Sequence, residues 1–302
     1  MLDDLTRGRD AAQAVVEVIA HARADVILLL DVDWDHGGAG LAALRDALTR
    51  AGLDYPHHVA LPPNSGRPSG ADLDRNGRLG EARDALGYGR FTGDGGMVLL
   101  SRLPLSRVDD RSGDLWSARG PLPPEILPPE ALDRVPLASV AQWVVPLEVG
   151  GTRLSLVTMN ATPPVFDGPE DRNGQRNADE LGFVAELASA ADLPVVLGRA
   201  NIDPMDGEGR RAALDALLSH PKLQDPAPRG AGGGGTGHRG DPALDTAALD
   251  GPGPLRLDYV LPARGLRVAA AGVDWPAPDA PRAGRVSTAS RGRLVWVDLA
   301  VP

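Results

Sequence analysis

The feature that most constrains this chain is the spacing of its short apolar runs. Val26–Leu30, Met97–Leu100, Trp143–Leu147, Leu154–Thr158 and Leu193–Leu197 each have the length and bounding turn residues of a strand. Arg256–Leu261, Leu266–Ala271 and Leu294–Leu299 close the chain in the same manner. Some of these runs follow one another across a tight turn, as at Gly150-Gly151, while others are separated by helical patterns. Ala11, Val15, Val18, Ile19 and Ala22 fall at helical spacing, as do Leu41, Leu44 and Leu48, and Glu180–Ala190 reads as a further helix. Hairpin-like pairs mixed with helical crossovers predict two packed sheets covered by helices, not one doubly wound parallel sheet. Residues 62–96 and 119–136 are rich in proline, glycine or polar residues and read as long irregular segments, and the glycine-rich stretch 229–240 as mobile. No repeat and no linker marks a boundary, so residues 1–302 are expected to form one domain.

Composition narrows the function. The chain has 302 residues, 42% hydrophobic and 24% charged, within the range of an ordinary globular protein able to bury its own core. Having no cysteine, it lacks thiol catalysis, cysteine zinc sites and disulfides. Its formal net charge is −10, with no basic run, which argues against a long phosphate backbone as partner. No apolar stretch approaches the roughly 20 residues needed to span a bilayer. The opening Met1-Leu2-Asp3-Asp4 is acidic where a signal peptide would be basic and then apolar. As written, the chain is expected in the cytoplasm and off the membrane; a start codon further upstream would open the possibility of export.

Several segments, taken in order, carry a resemblance. They are Leu28-Leu29-Leu30-Asp31-Val32-Asp33-Trp34-Asp35, Asn64-Ser65-Gly66-Arg67-Pro68-Ser69-Gly70 and Gly96-Met97-Val98-Leu99-Leu100-Ser101-Arg102. Thr162-Pro163-Pro164 with the following Val165–Gly174, Gly240-Asp241-Pro242-Ala243-Leu244-Asp245-Thr246, Asp258-Tyr259-Val260-Leu261-Pro262 and Leu294–Leu299 complete the set. Together they resemble a bacterial branch of the endonuclease/exonuclease/phosphatase family, the superfamily of pancreatic deoxyribonuclease. The resemblance implies an α/β fold: a four-layer sandwich of two mainly antiparallel sheets flanked by helices, with the active site at one end. It also implies an opening strand that this chain, as written, begins after.

The departures fall where the resemblance places chemistry. An asparagine–glutamate pair reads Leu30-Asp31, and a tyrosine before the Gly-Met strand reads Gly95. A histidine before Thr-Pro-Pro reads Asn160, and Gly-Asp-x-Asn reads Gly198-Arg199-Ala200-Asn201. The terminal Ser-Asp-His reads Ser290-Arg291-Gly292. The implied mechanism needs a divalent ion with oxygen ligands and a histidine–aspartate pair to activate water. Only Asp31 and Asn201 carry over as oxygen donors. The catalytic set is therefore expected to be degenerate, leaving an impaired pseudo-hydrolase; magnesium or manganese matters only if weak phosphoesterase activity survives. Arg199 and Arg291, replacing acids, are candidates to bind a small phosphate ester or similar anion, with Asp31 as salt-bridge partner.

Three further readings stay open. Asp31, Asp33 and Asp35 would share one face if the strand alternated regularly, drawing a cation or an arginine, or they form a solvated acidic loop. Asp72-Leu73-Asp74-Arg75-Asn76-Gly77 matches the first half of a calcium loop; Arg83 stands where the closing glutamate belongs, with Asp84 next to it. Asp72, Asp74, Asn76 and Asp84 are thus candidate ligands of a structural calcium, or parts of a polar turn. Asp171-Arg172-Asn173-Gly174 reads as a plain turn, and the histidines, including His220 and His238, as solvated surface or loop groups. An exposed strand edge next to the absent opening strand would favour self-association.

Overall fold

The computed structural model describes residues 2–235 and 237–301. Helices α1 (Leu2–Thr6) and α2 (Asp10–Ala22) lead into strand β1 (Val26–Val32), followed by α3 (Ala39–Arg50) and β2 (His57–Val59). An irregular stretch then reaches β3 (Gly96–Ser101), the short β4 (Asp109–Asp110), and the hairpin of β5 (Trp143–Val149) and β6 (Thr152–Asn160). Helix α4 (Arg172–Ala190) leads to β7 (Pro194–Arg199) and α5 (Arg211–Leu218). Strands β8 (Ala247–Leu249), β9 (Gly253–Leu255), β10 (Asp258–Pro262) and β11 (Arg267–Val273), helix α6 (Ala283–Ala289) and β12 (Val295–Ala300) complete the chain.

The layers follow from which face of each strand is apolar. A five-stranded sheet runs β10-β7-β6-β5-β4, antiparallel except for the parallel β6–β7 pair. Its odd-numbered residues Val157 and Met159, with Val196, Tyr259 and Leu261, face α4 and α5. Leu154, Leu156 and Val195 face the other way, toward Met97 and Leu99 of β3 and Leu28 and Leu30 of β1. β3 in turn presents Val98 and Leu100 to α2 and α3, where Ile19, Leu44 and Leu48 close the outermost layer. The result is the four-layer α/β sandwich expected. Its first sheet differs from the second in one respect: it exists as two pieces, β1-β3-β2 and β11-β12. β1 and β12 each have a paired neighbour on one side only.

Helix α4 departs from the sequence reading. The segment expected as a turn, Asp171–Gly174, instead opens the helix, which begins at Arg172. Its first turns lack apolar periodicity because their buried residues are polar and hold neighbouring loops. Arg176 donates from Nε to Leu137 O and from Nη2 to Leu86 O and Pro136 O, all at 2.8 Å. Asn177 donates to Thr162 O and Ala200 O, and Glu180 accepts from the backbone N–H of Ser139 and Thr162. Burial pulls the Arg176 pKa down to about 10 and pushes Glu180 above the usual carboxylate range, the charge of each partly offsetting the shift of the other. Five backbone carbonyls and two N–H groups that irregular chain would otherwise bury unpaired are satisfied by this one helix. The loop that follows Asn160 and the one that carries Asn201 are fixed by it.

Candidate functional site

The site begins with a fault in a strand. β1 stays in register with β3 as far as Leu30, then Asp31 is inserted as a bulge before Val32 pairs with Gly96. Asp31 has φ 61°, a left-handed conformation costly for a non-glycine residue. Bulges re-aim side chains, and this one breaks the alternation that would have set Asp31, Asp33 and Asp35 on one face. Asp33 Oδ1 accepts from Gly95 N at 3.4 Å. Asp35 turns to the start of α3, accepting from Ala39 N and Gly40 N at 2.9 Å each. Those backbone N–H groups hold its pKa below the usual carboxylate value. The three carboxylates thus do not form one cluster. Gly95 also acquires a physical reason: a Cβ there would lie 2.9 Å from Asp31 Oδ1, and its φ of 61° favours glycine.

Across the sheet ends, β6 and β7 pair Asn160 with Arg199, and β7 and β10 pair Arg199 with Asp258. Arg199 makes a two-pronged ion pair, Nε to Asp258 Oδ1 at 2.8 Å and Nη2 to Asp258 Oδ2 at 2.9 Å. Thr246 Oγ1 donates to Asp258 Oδ2 at 3.0 Å while accepting from the N–H groups of Leu257 and Asp258. The charge of Asp258 is the main reason the Arg199 pKa lies above its ordinary value, with Asp31 adding a smaller effect in the same direction. Gly292 lies against this guanidinium: a Cβ at that residue would be 2.7 Å from Arg199 Nη2. Ser290 Oγ accepts from Gly292 N at 3.0 Å. Asn201, with φ 56°, donates from Nδ2 to Ala161 O at 2.7 Å.

Asp31, Gly95, Asn160, Arg199, Asn201, Ser290 and Gly292, scattered through the sequence, therefore gather at one end of the paired sheets. Arg291 does not join Arg199; it lies at the surface, 2.5 Å from Asp250, with 69% of its side chain exposed. Nor does Arg199 take Asp31 as its ion-pair partner, because Asp258 holds both sides of its fork. Sequence reasoning missed Asp258 and Thr246 as site residues, although both lie in segments that carried the resemblance.

The residues present fit a hard cation poorly. A divalent ion requires several anionic or neutral oxygens directed at one point. Here both oxygens of Asp258 are engaged by a guanidinium, Asn201 directs its N–H2 into a carbonyl, and the fixed charge of Arg199 opposes a second cation. Among the described residues no histidine is hydrogen-bonded to Asp31, Asn160, Arg199, Asn201 or Asp258, although His238 stands one link away, on Asp245 beside Thr246. His220, expected at the surface, is buried, and His238 is half-buried, with 8% of its side chain exposed. His238 lies between Asp245 Oδ1 at 3.0 Å and Asp206 Oδ2 at 3.2 Å. Burial alone would lower its pKa, but Asp245, the Gly240 carbonyl and Asp206 outweigh that and raise it. His220 Nδ1 accepts from Lys222 N, which leaves the proton on Nε2, 2.8 Å from Ser189 Oγ. Ser189 donates to Ala185 O, so the pair is wired as structure and not as base and nucleophile.

In the candidate calcium loop, carboxylate oxygens of Asp72, Asp74 and Asp84 lie within 4.8 Å of one another. Backbone N–H groups already occupy them: Asn76 and Gly77 donate to Asp72, Leu73 and Glu81 to Asp84. Asn76 directs Nδ2 at Asp74 and Glu81, and its Oδ1 accepts from Arg78 N. No helix among the described residues is long and apolar enough to cross a membrane.

Comparison with known proteins agrees with this architecture. An endonuclease/exonuclease/phosphatase from Beutenbergia cavernae superposes with a TM-score of 0.61 at 19% identity, over 95% of this chain and 65% of that one. This chain therefore spans just under two thirds of that relative's length. A family protein from Leptotrichia buccalis gives a TM-score of 0.57 at 14% identity, covering 96% and 93% of the two chains. An AP endonuclease from Archaeoglobus fulgidus gives 0.55 at 14%, covering 97% and 95%. No curated protein matches the sequence. The sequence profile described as the Endonuclease/Exonuclease/phosphatase family matches residues 2–291, and with the fold and the ordered segments in place, the chain belongs to that family.

Proposed function

We propose that this chain is a non-hydrolytic member of its family, with an internal ion pair standing where hydrolysis would require a bound cation. One observation carries the reading: the bidentate Arg199–Asp258 pair, fixed by Thr246, at the meeting point of β6, β7 and β10. A planar guanidinium on a carboxylate is a strong, geometrically specific contact. A cation entering beside it meets like charge and must compete for the same oxygens. Asn160 and Gly292 offer no general base, so even a recruited ion would lack a partner to activate water.

Anion recognition is the activity left to this site, and it is weak in this reading. Asp258 already neutralises Arg199, and Asp31 adds a negative charge nearby. Inorganic phosphate is expected to bind only in the millimolar range, equally well with EDTA or with magnesium, and Arg199→Asp to weaken it further. The rival reading is a weak metal-dependent phosphoesterase using Asp31 and Asn201. Nitrophenol release from mono- and bis-nitrophenyl phosphate separates the two. No magnesium- or manganese-stimulated turnover is expected from the unmodified protein, and little from Arg199→Asp. Chelator-sensitive turnover by the unmodified protein would replace the proposal with its rival.

A further inference from the structure

The irregular stretch between β2 and β3 ends in a tip that leaves aromatic rings in water. Tyr88 is 65% exposed and Phe91 51%, two of the five large apolar side chains so exposed among the described residues. Arg90 stands between them, and it too is exposed. The backbone under these side chains is fixed by approaches that only glycine permits. Gly66 has φ 71°; a Cβ there would lie 1.7 Å from Phe91 O, and a Cβ on Gly89 2.5 Å from Gly66 N. Gly66 N donates to Gly87 O, Thr92 Oγ1 to Gly66 O and Gly93 N to Ser65 O. Asp94 closes the turn, accepting from Arg90 N at 2.8 Å while its own N–H donates to Phe91 O. Trp34 N, donating to Gly93 O, ties the tip to the segment that follows Asp31. Rings carried on a backbone already ordered lose little further freedom when a partner covers them.

Charge indicates what kind of partner fits. Arg67, next to Gly66, is exposed and donates from Nη1 to Asn64 Oδ1. Among the described residues no carboxylate lies within ion-pair distance of Arg67 or Arg90, although the chain as a whole has a net charge of −10. Two such guanidiniums beside two exposed rings have the composition of a protein-binding hot spot, in which tyrosine, phenylalanine and arginine are enriched. The planar fork of a guanidinium suits a carboxylate. At physiological salt, charge farther than about 8 Å is largely screened, so the local arginines govern a short acidic segment. An anionic bilayer is a poorer fit, since each basic residue contributes only about 1 kcal/mol there and the rest of an acidic chain is repelled. A long nucleic acid requires a wider basic surface.

We propose that Arg67, Tyr88, Arg90 and Phe91 dock an acidic, apolar segment of a partner protein, a carboxylate meeting the guanidiniums and an aromatic or leucine side chain meeting the rings. The inference does not rest on the reading of the Arg199 site. The test selects binders to the full chain from a phage-displayed library of random dodecapeptides. Enriched sequences are expected to combine aspartate or glutamate with an aromatic residue or leucine. A synthetic copy of the best one should bind saturably in fluorescence anisotropy. Tyr88→Ser, Phe91→Ser and Arg90→Glu should each weaken that binding about tenfold or more. All three positions are exposed, so the midpoint of urea unfolding should not move and a loss of binding is not a loss of fold. No enriched peptide, enriched peptides without an acid, or binding that survives both Tyr88→Ser and Arg90→Glu overturns the proposal. Binding of phosphatidylserine-containing vesicles or of a single-stranded oligonucleotide, lost in the same variants, overturns it in favour of a lipid surface or a nucleic acid. Dimerisation in sedimentation that Phe91→Ser abolishes would assign the patch to a second copy instead.

Discussion

β3 and β1 lie side by side with nearly the same apolar composition, and they end up in different environments. All six residues of β3 are buried; of the seven in β1 only Ile27 is. β3 has a strand on each side, whereas β1 is paired with β3 alone. The same contrast separates the two sheets. The five-stranded sheet is continuous and its surrounding loops are tied down by the polar residues of α4; the first sheet is split. An apolar run thus states that a strand requires cover, and the assembled neighbours decide whether it receives it.

The sharpest way to break this comparison is to cut the ties on the closed side. Arg176→Ala removes three hydrogen bonds to carbonyls and leaves Glu180 buried without its compensating charge. Losing one member of a buried charged set costs about 3–5 kcal/mol, to be read as a fall in the midpoint of urea unfolding. A loss under about 1 kcal/mol would mean that the loops hold themselves.

A second experiment sharpens the contrast between β3 and β1. Leu99→Ala, at a residue with no exposure, should cost about 2–5 kcal/mol because the surrounding packing cannot collapse into the hole. Leu28→Ala, at a half-buried residue, should cost about 1 kcal/mol or less, since it removes less burial. Equal losses would show that β1 is as well packed as β3.

The smallest effect concerns a half-buried group near the ion pair, His238. The His238 pKa lies above its ordinary value of 6.5, so the stabilisation from its contacts with Asp206 and Asp245 is complete below pH 6.5. It is lost as pH rises through the higher folded-state value. A modest decline in melting temperature over that range is expected, and His238→Gln should flatten it. An unchanged slope in the variant would place the titration elsewhere.

Much of the site was legible because it depends on residue identity at positions in an ordered series. Asn160, Arg199, Asn201, Ser290 and Gly292 could be picked out without knowing any distance, and the structure brings them together with Asp31, whereas Arg291, picked out the same way, stays at the surface. The bulge was not legible: Leu30-Asp31-Val32-Asp33 reads as regular alternation, and only the pairing with β3 inserts the extra residue at Asp31. The early start of α4 escaped for a related reason. Its first turns bury Arg176, Asn177 and Glu180, and a polar buried face gives no apolar period to read.

What the sequence determined by itself was local: where strands and helices form, since side-chain periodicity acts over a few residues, and which kinds of group stand at each position. The tertiary structure decided partnership. Arg199 could have met Asp31 or an anion, but the β7–β10 register sets it opposite Asp258, 59 residues away. His238 reads as a loop histidine until Asp206 and Asp245 close on it. Charge pairing, burial and backbone pairing are through-space quantities, settled only when distant segments of chain are brought within a few ångströms.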